Sequence, residues 1–178
     1  MNKVLYAFFL AFLCSAACFG QEKVSPAIPY FGEVFPVPEA TVLPDSFMVY
    51  RIVVDVKTGS PDADQISQGL HNVARMINLH HLGGVTEDNM EVVIAIHGDA
   101  TYSILNNEAY RKKYRVNNPN LDIIRELKVA GVQLTVCGQS LRGRKVKPED
   151  VLREVEVATS MLTTLSTCQM RGFAVFQF

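Results

Sequence analysis

Short apolar runs separated by longer amphipathic segments constrain the fold of this chain more than any other feature of its sequence. Four of these runs are rich in β-branched and aromatic residues and lie next to glycine or charged residues, which predicts strands, the first of them buried along much of its length. They cover residues 47–57, 90–98, 132–137 and 173–178. A fifth, shorter strand is predicted around residues 154–158.

Helices are predicted between these strands, because apolar residues recur there at helical spacing. Such a face runs from Ile66 to Ile77, and Ser60 followed by Pro61 predicts where this first helix begins. Similar patterns cover residues 99–110, 121–130 and 160–170. Strands that alternate with helices form parallel sheets covered on both faces. The predicted fold is therefore a three-layer α/β domain with a mainly parallel sheet of about five strands.

The first twenty residues have the layout of a secretory signal peptide. Lys3 precedes an apolar stretch over residues 4–13, and small residues follow up to Gly20. The apolar stretch is short for a membrane anchor, so we expect cleavage after Gly20, a periplasmic or secreted protein and no stable membrane insertion afterwards. Lipoprotein processing at Cys18 is the alternative, although "SAAC" lacks the usual leucine three residues before the cysteine.

Residues 21–46 are rich in proline and aromatic residues and precede the predicted domain of residues 47–178. The prolines are incompatible with a helix and predict an extended N-terminal arm. Because bulky rings are seldom left in water, we expect Tyr30, Phe31 and Phe35 to pack on this subunit or on a neighbour.

The charge balance excludes one class of partner. The sequence contains 17 lysine and arginine residues and 18 aspartate and glutamate residues, and its formal net charge is −1 at pH 7. A protein that binds the phosphate backbone presents a basic surface. We therefore expect no nucleic-acid partner.

Cys137 ends the third long predicted strand and is the main candidate for chemistry. Ligands and reactive groups gather outside the carboxyl ends of parallel strands. Gly138 allows close backbone approach, and a basic cluster follows at Arg142, Arg144, Lys145 and Lys147. Amide donors and positive charge both stabilise a thiolate. From the residues alone, Cys137 is a reactive thiol, an inert buried cysteine, a disulfide partner or a metal ligand.

Cys168 is the second cysteine of the mature chain. It lies well inside the predicted last helix, roughly 12 Å from the edge where Cys137 is expected, at about 1.5 Å per helical residue. A disulfide requires Cα atoms within roughly 7 Å of one another. We therefore expect Cys168 to be a small buried apolar residue rather than a partner of Cys137.

His97 and Gly98 end the second predicted strand as Cys137 ends the third, and Asp55 lies near the end of the first. Parallel strands would bring these residues to one edge of the sheet. His97 is the best candidate there for acid–base chemistry or ligand binding. A zinc site at His97 and Cys137 lacks two further ligands, so we predict no metal site and no cofactor.

The segment around Cys137, "AGVQLTVCGQSLRGR", occurs in a fixed order with "YRIVVDVK", "HNVARMINL", "VVIAIHGDATYSIL" and "RGFAVFQF". Together these segments resemble the DsrE/DsrF-like family, which includes the TusD-type sulfur carriers, and in particular its exported, stand-alone branch. The resemblance covers roughly residues 50–178. It implies a small α/β fold with a parallel sheet, assembled as a homo-oligomer, a trimer or a hexamer.

The resemblance also implies a role for Cys137, which would carry a persulfide between a sulfur donor and an acceptor protein. Asn78, His97 and Gly98 would be its neighbours, beside Gly138 and Arg142 in the loop that follows it. Any activity would then be sulfur transfer rather than hydrolysis. The alternative is a non-catalytic oligomeric module that binds a small ligand or a protein, in which Cys137 is incidental.

Overall fold

Five strands form one parallel sheet in the computed structural model, which describes residues 22–178. The strands are β1 (Tyr50–Val56), β2 (Met90–Ile96), β3 (Gln133–Cys137), β4 (Glu156–Ala158) and β5 (Ala174–Gln177). Their order is β4-β3-β2-β1-β5, and every neighbouring pair is parallel. The predicted signal peptide and the alternative lipidation site Cys18 lie outside the described residues.

Helices cover both faces of this sheet. They are α1 (Gln68–Leu82), α2 (Asn107–Tyr114), α3 (Leu121–Val129), α4 (Gly138–Gly143) and α5 (Met161–Met170), with shorter 3-10 helices at Glu87–Asn89, Gly98–Ile104 and Pro148–Asp150. Within residues 22–178, none of the helices has the length and apolar character needed to cross a membrane.

The sheet divides the core into two parts, because successive side chains of each strand point to opposite faces. On one face, Ile52 and Val54 of β1 join the large cluster formed with α1 and α3. On the other face, Val53 and Val93 pack with Cys168 of α5 in a smaller cluster. The predicted three-layer α/β fold is therefore confirmed.

The first helix begins later than the sequence predicts. Ser60 and Pro61 predict its N-terminus, but α1 starts at Gln68. The intervening residues form an irregular loop, in which the hydroxyl of Tyr110 donates a 2.8 Å hydrogen bond to the carbonyl of Ala63. Tertiary hydrogen bonding thus outweighs the local pattern, and the predicted helix start is wrong.

The N-terminal arm packs on its own subunit mainly through aliphatic residues. Ile28 and Val34 are 0% and 1% exposed, and Phe31 is half-buried against the large core cluster. Tyr30 and Phe35, which are 88% and 49% exposed, do not pack on this subunit as Phe31 does. The arm is therefore part of the folded unit, with two of its rings left on the surface.

Candidate functional site

Cys137 is the last residue of β3 and the N-cap of α4, at the carboxyl edge of the sheet. It pairs with Ala158 of β4 and is 4% exposed. Its hydrogen bonds therefore come from the two helix starts that follow β3 and β4, those of α4 and α5.

The Cys137 sulfur lies among polar groups at the starts of α4 and α5, and the hydroxyl oxygen of Ser160 is 3.9 Å from it. Burial by itself raises the pKa of this thiol, whereas the backbone N–H groups of Met161 and Ser140 and the hydroxyls of Ser140 and Ser160 lower it. The donors prevail, so the pKa of Cys137 lies below its ordinary value. The surroundings thus favour the thiolate, which is the nucleophilic form of cysteine.

The basic cluster after Cys137 contributes differently from what the sequence suggests. Within the described residues, none of its four cations is among the groups that lower the pKa of Cys137. Arg144 instead donates to Asp99 at 3.2 Å, and Lys147 lies 3.7 Å from Glu149. Arg142 is exposed on α4. The thiolate is therefore stabilised by hydrogen bonds rather than by the basic cluster.

Gly138 allows the chain after β4 to approach α4 closely. A Cβ atom at this position would lie 2.8 Å from the carbonyl oxygen of Ala158 and 3.4 Å from that of Thr159. The nearby side chain of Gln139 donates a 3.4 Å hydrogen bond to the same Thr159 carbonyl. The absence of a side chain at Gly138 thus brings Ser160 to the Cys137 thiol.

His97 and Asp55 form a pair at the same edge of the sheet. The Nε2–H of His97 donates to Oδ1 of Asp55 at 2.5 Å, and the two side chains are 17% and 10% exposed. Because the carboxylate fixes the proton on Nε2, Nδ1 is the ring nitrogen available for proton exchange. Ile96 pairs with Val136, so His97 and Cys137 are the next residues along adjacent strands.

Gly98 turns the chain immediately after His97. Its φ of +56° lies in the left-handed region, and a Cβ atom there would lie 3.0 Å from the carbonyl oxygen of Lys57. A glycine at residue 98 lets the chain leave β2 along this path without backbone strain and without a close contact with Lys57. Gly98 thus fixes the backbone beside His97 and brings no reactive group of its own.

Asn78 lies far from the other predicted site residues. It is near the C-terminal end of α1, where the ring of the nearby His80 contacts Tyr50 at the start of β1. That contact places Asn78 toward the amino ends of the strands, opposite the edge that carries Cys137. Its fully buried amide is occupied by backbone groups of the N-terminal arm, so the structure does not bring it together with Cys137.

Sequence reasoning missed Ser140, Ser160 and the N–H of Met161. Ser160 is the N-cap of α5, and its hydroxyl accepts a 3.2 Å hydrogen bond from the N–H of Leu162. A serine directly before a predicted helix is a cap signal that can be read from sequence. Its approach to Cys137 depends on the pairing of β3 with β4, which sequence does not reveal.

Cys168 lies apart from this site, in the small core cluster under α5. Burial raises the pKa of its thiol, in contrast to that of Cys137. Both cysteines are free. Among residues 22–178, no group of three or more histidine, cysteine, aspartate or glutamate side chains is arranged to hold a metal ion.

The model of the DsrE/DsrF-like family matches residues 51–178, which is most of the chain. The chain belongs to the DsrE/DsrF-like family. The structure is similar to that of MTH1491, a protein of unknown function from Methanobacterium thermoautotrophicum, with 18% identity, a TM-score of 0.52 and coverage of 72% of this chain and 99% of that one. The ychN protein from E. coli has 23% identity at the same TM-score and coverage. No protein with a curated description matches the sequence. These two similarities establish the DsrE-like fold alone.

Proposed function

We propose that this protein is an exported sulfur carrier in which Cys137 accepts a sulfane sulfur as a persulfide. The observation that carries the proposal is the set of donors that lowers the pKa of Cys137 although the side chain is buried. Membership of the DsrE/DsrF-like family is compatible with this role.

The proposed step is a thiol exchange. The Cys137 thiolate attacks the outer sulfur of a donor persulfide, R–S–SH, and a new S–S bond forms as the donor S–S bond breaks. The electron pair of the broken bond leaves with the donor as its thiolate, R–S⁻. The sulfur moves with its oxidation level unchanged, so no oxidant or reductant is required. An acceptor thiolate removes it by the same exchange.

His97 is the proposed proton donor for the leaving thiolate. With Nε2 held by Asp55, Nδ1 would pass a proton to R–S⁻ and recover one in the next exchange. Its place beside Cys137 on the adjacent strand supports this assignment. The reaction is sulfur transfer rather than hydrolysis.

Access to the sulfur would be controlled by residues 158–160. Cys137 is 4% exposed, and this segment lies beside it, with the carbonyls of Ala158 and Thr159 close to Gly138 and the hydroxyl oxygen of Ser160 3.9 Å from the sulfur. A donor would reach the thiolate when the segment moves away from α4. The same segment would protect a bound persulfide from water and from small thiols.

A homo-oligomer, a trimer or a hexamer, is proposed as the assembled form. In α5 only Cys168 is buried, while Leu162 and Met170 are 70% and 89% exposed. The end of the arm and the first residue after it are also apolar and exposed, with Val42 and Phe47 at 90% and 92%. These surfaces equally support the second candidate function, an assembly module in which Cys137 is incidental.

Two measurements test the form of the mature protein. N-terminal sequencing of the exported chain should begin at Gln21. A lipid found on Cys18 would show instead that the mature protein is anchored to a membrane. Val42→Asp should lower the oligomer mass in light scattering if the exposed end of the arm contacts a neighbour, because Val42 is 90% exposed and its replacement leaves the folded unit intact. An unchanged mass would remove the arm from the interface.

Intact-mass spectrometry tests the sulfur-carrier proposal. The mature protein is incubated with inorganic polysulfide, and the expected product carries one added sulfur on Cys137. Cys168→Ser should load like the parent, whereas Cys137→Ser should not. If Cys137→Ser gains as much sulfur as the parent, the proposal fails and the assembly-module alternative gains support.

A further inference from the structure

A cavity of about 540 Å³ lies at the edge of the sheet opposite Cys137. It is formed where the C-terminal ends of α1 and α3 meet the starts of β2 and β3, beneath the N-terminal arm. Its volume lies within the range that encloses small-molecule ligands.

The inner part of this cavity is apolar. Ile77, Val92 and Val132, which are 2% to 5% exposed, form its base, and Pro26 and Pro29 of the arm form a wall. Proline contributes no side-chain donor or acceptor, and it has no backbone N–H. The inner cavity therefore suits an alkyl or aromatic group.

Two carboxylates also line the cavity. Glu126 on α3 is half-buried, and Glu87 is exposed in the turn before β2. Neither forms an ion pair with any residue in the described part of the chain, and the lining contains no lysine or arginine. His81 also lines the cavity, and its Nδ1 donates to the carbonyl of Ile77 at 3.3 Å. The polar side of the cavity thus offers carboxylates without a matching cation.

We propose that this cavity binds a small amphiphilic amine. The apolar tail would lie against Ile77, Val92 and Val132, and the ammonium group would contact Glu126 and Glu87. An anionic amphiphile with the same tail would meet these two carboxylates and be rejected. The site is separate from the sulfur chemistry, because it lies at the opposite edge of the sheet.

Asn78 would act as the positioning residue of this site. Its Oδ1 accepts hydrogen bonds from the N–H groups of Ala27 and Ile28, both at 2.9 Å, and its Nδ2 donates to the carbonyls of Phe31 and Gly32 at 2.8 and 3.0 Å. These bonds hold the arm over α1, where Ala27 and its two flanking prolines line the cavity.

Isothermal titration calorimetry at low salt tests the proposal with two probes, n-octylammonium and n-octanoate, below their micelle concentrations. The protein is the mature chain. We expect n-octylammonium to bind at least about tenfold more tightly than n-octanoate, and Glu126→Gln to weaken its binding about fivefold. Glu39→Gln, which removes an exposed carboxylate of the arm outside the cavity, should leave the affinity unchanged.

Val129→Lys adds a positive charge at an 82% exposed position of the lining, where the lysine side chain can reach solvent. It should weaken n-octylammonium binding and strengthen n-octanoate binding. Absence of binding by n-octylammonium, equal affinity for both probes, or an unchanged affinity in Glu126→Gln would each overturn the proposal. Sulfur loading of Cys137 is measured independently in the same samples, so each of the two proposals can fail without the other.

Discussion

The hydroxyl oxygen of Ser160 lies 3.9 Å from the sulfur of Cys137. The same oxygen accepts the N–H of Leu162 and caps α5, so one side chain links the start of this helix to the thiol. The pKa of Cys137 is thereby tied to the position of α5. Changes at the start of that helix should alter thiol reactivity without touching Cys137 itself.

Ser160→Ala should raise the pKa of Cys137 and slow its alkylation at neutral pH, because one donor to the thiolate is lost. Loss of the N-cap should also lower the free energy of unfolding by about 1 kcal/mol. Alkylation rates in a Cys168→Ser background check the first effect, and urea unfolding checks the second. Ser160→Thr keeps the hydroxyl and should recover most of both. An alkylation rate equal to that of the parent would argue against the role of Ser160.

Gly138→Ala should push residues 158–160 away from α4, because its new Cβ meets the Ala158 carbonyl at 2.8 Å. We expect a loss of about 1–3 kcal/mol in the free energy of unfolding. The pKa of Cys137 should rise as its donors move away. Gly143→Ala is the matched control in the same helix, since no atom lies within 4 Å of its added Cβ. Equal stability for the two variants would contradict the close approach at Gly138.

Asn78→Ala should release the arm, because four hydrogen bonds to its backbone are lost together. We expect a loss of about 3 kcal/mol in the free energy of unfolding and faster proteolysis near Phe31. Asn78→Asp keeps the acceptor but turns a carboxylate oxygen toward the carbonyls of Phe31 and Gly32 in a fully buried site, so it should lose at least as much. The alkylation rate of Cys137 should remain that of the parent, since Asn78 lies at the other edge. A large change in that rate would instead restore Asn78 to the site.

His97→Gln should slow transfer of sulfur from loaded Cys137 to an acceptor thiol by at least about tenfold, because the group that takes up the proton of the acceptor thiol in that exchange is removed. Asp55→Asn, which weakens the hydrogen bond that positions the ring, should give a smaller loss. Transfer is followed by the loss of the persulfide mass. The pH profile of alkylation should stay unchanged in both variants, and unchanged transfer in His97→Gln would remove the histidine from the mechanism.

The central strands β1, β2 and β3 are predictable from sequence because their apolar runs are buried and their β-branched residues favour extended backbone. The apolar run of β5 also predicts a strand, although all four of its residues are exposed. Alternation with helices then indicates a parallel sheet, which brings Asp55, His97 and Cys137 to one edge. The start of α1 is not predictable in the same way, because the Tyr110 hydroxyl bonds to a loop 47 residues earlier in the chain.

The candidate site is predictable only in part for a similar reason. Cys137 and its glycine are adjacent in sequence, whereas the hydroxyl of Ser160 comes from a segment 23 residues away. The basic residues after Cys137 look like its electrostatic partners in the sequence, but Arg144 pairs with Asp99 in the structure. Long-range pairing thus decides which neighbours act on the thiol.

The pH dependence of Cys137 alkylation tests the central claim most directly. In Cys168→Ser, the rate should rise through a midpoint below the ordinary pKa of a thiol, because the thiolate reacts and hydrogen bonds favour it. In Cys137→Ser, the remaining Cys168 should titrate above the ordinary value, because burial raises its pKa. A Cys137 midpoint at or above the ordinary value would contradict the account of this site as a thiolate poised to accept sulfur.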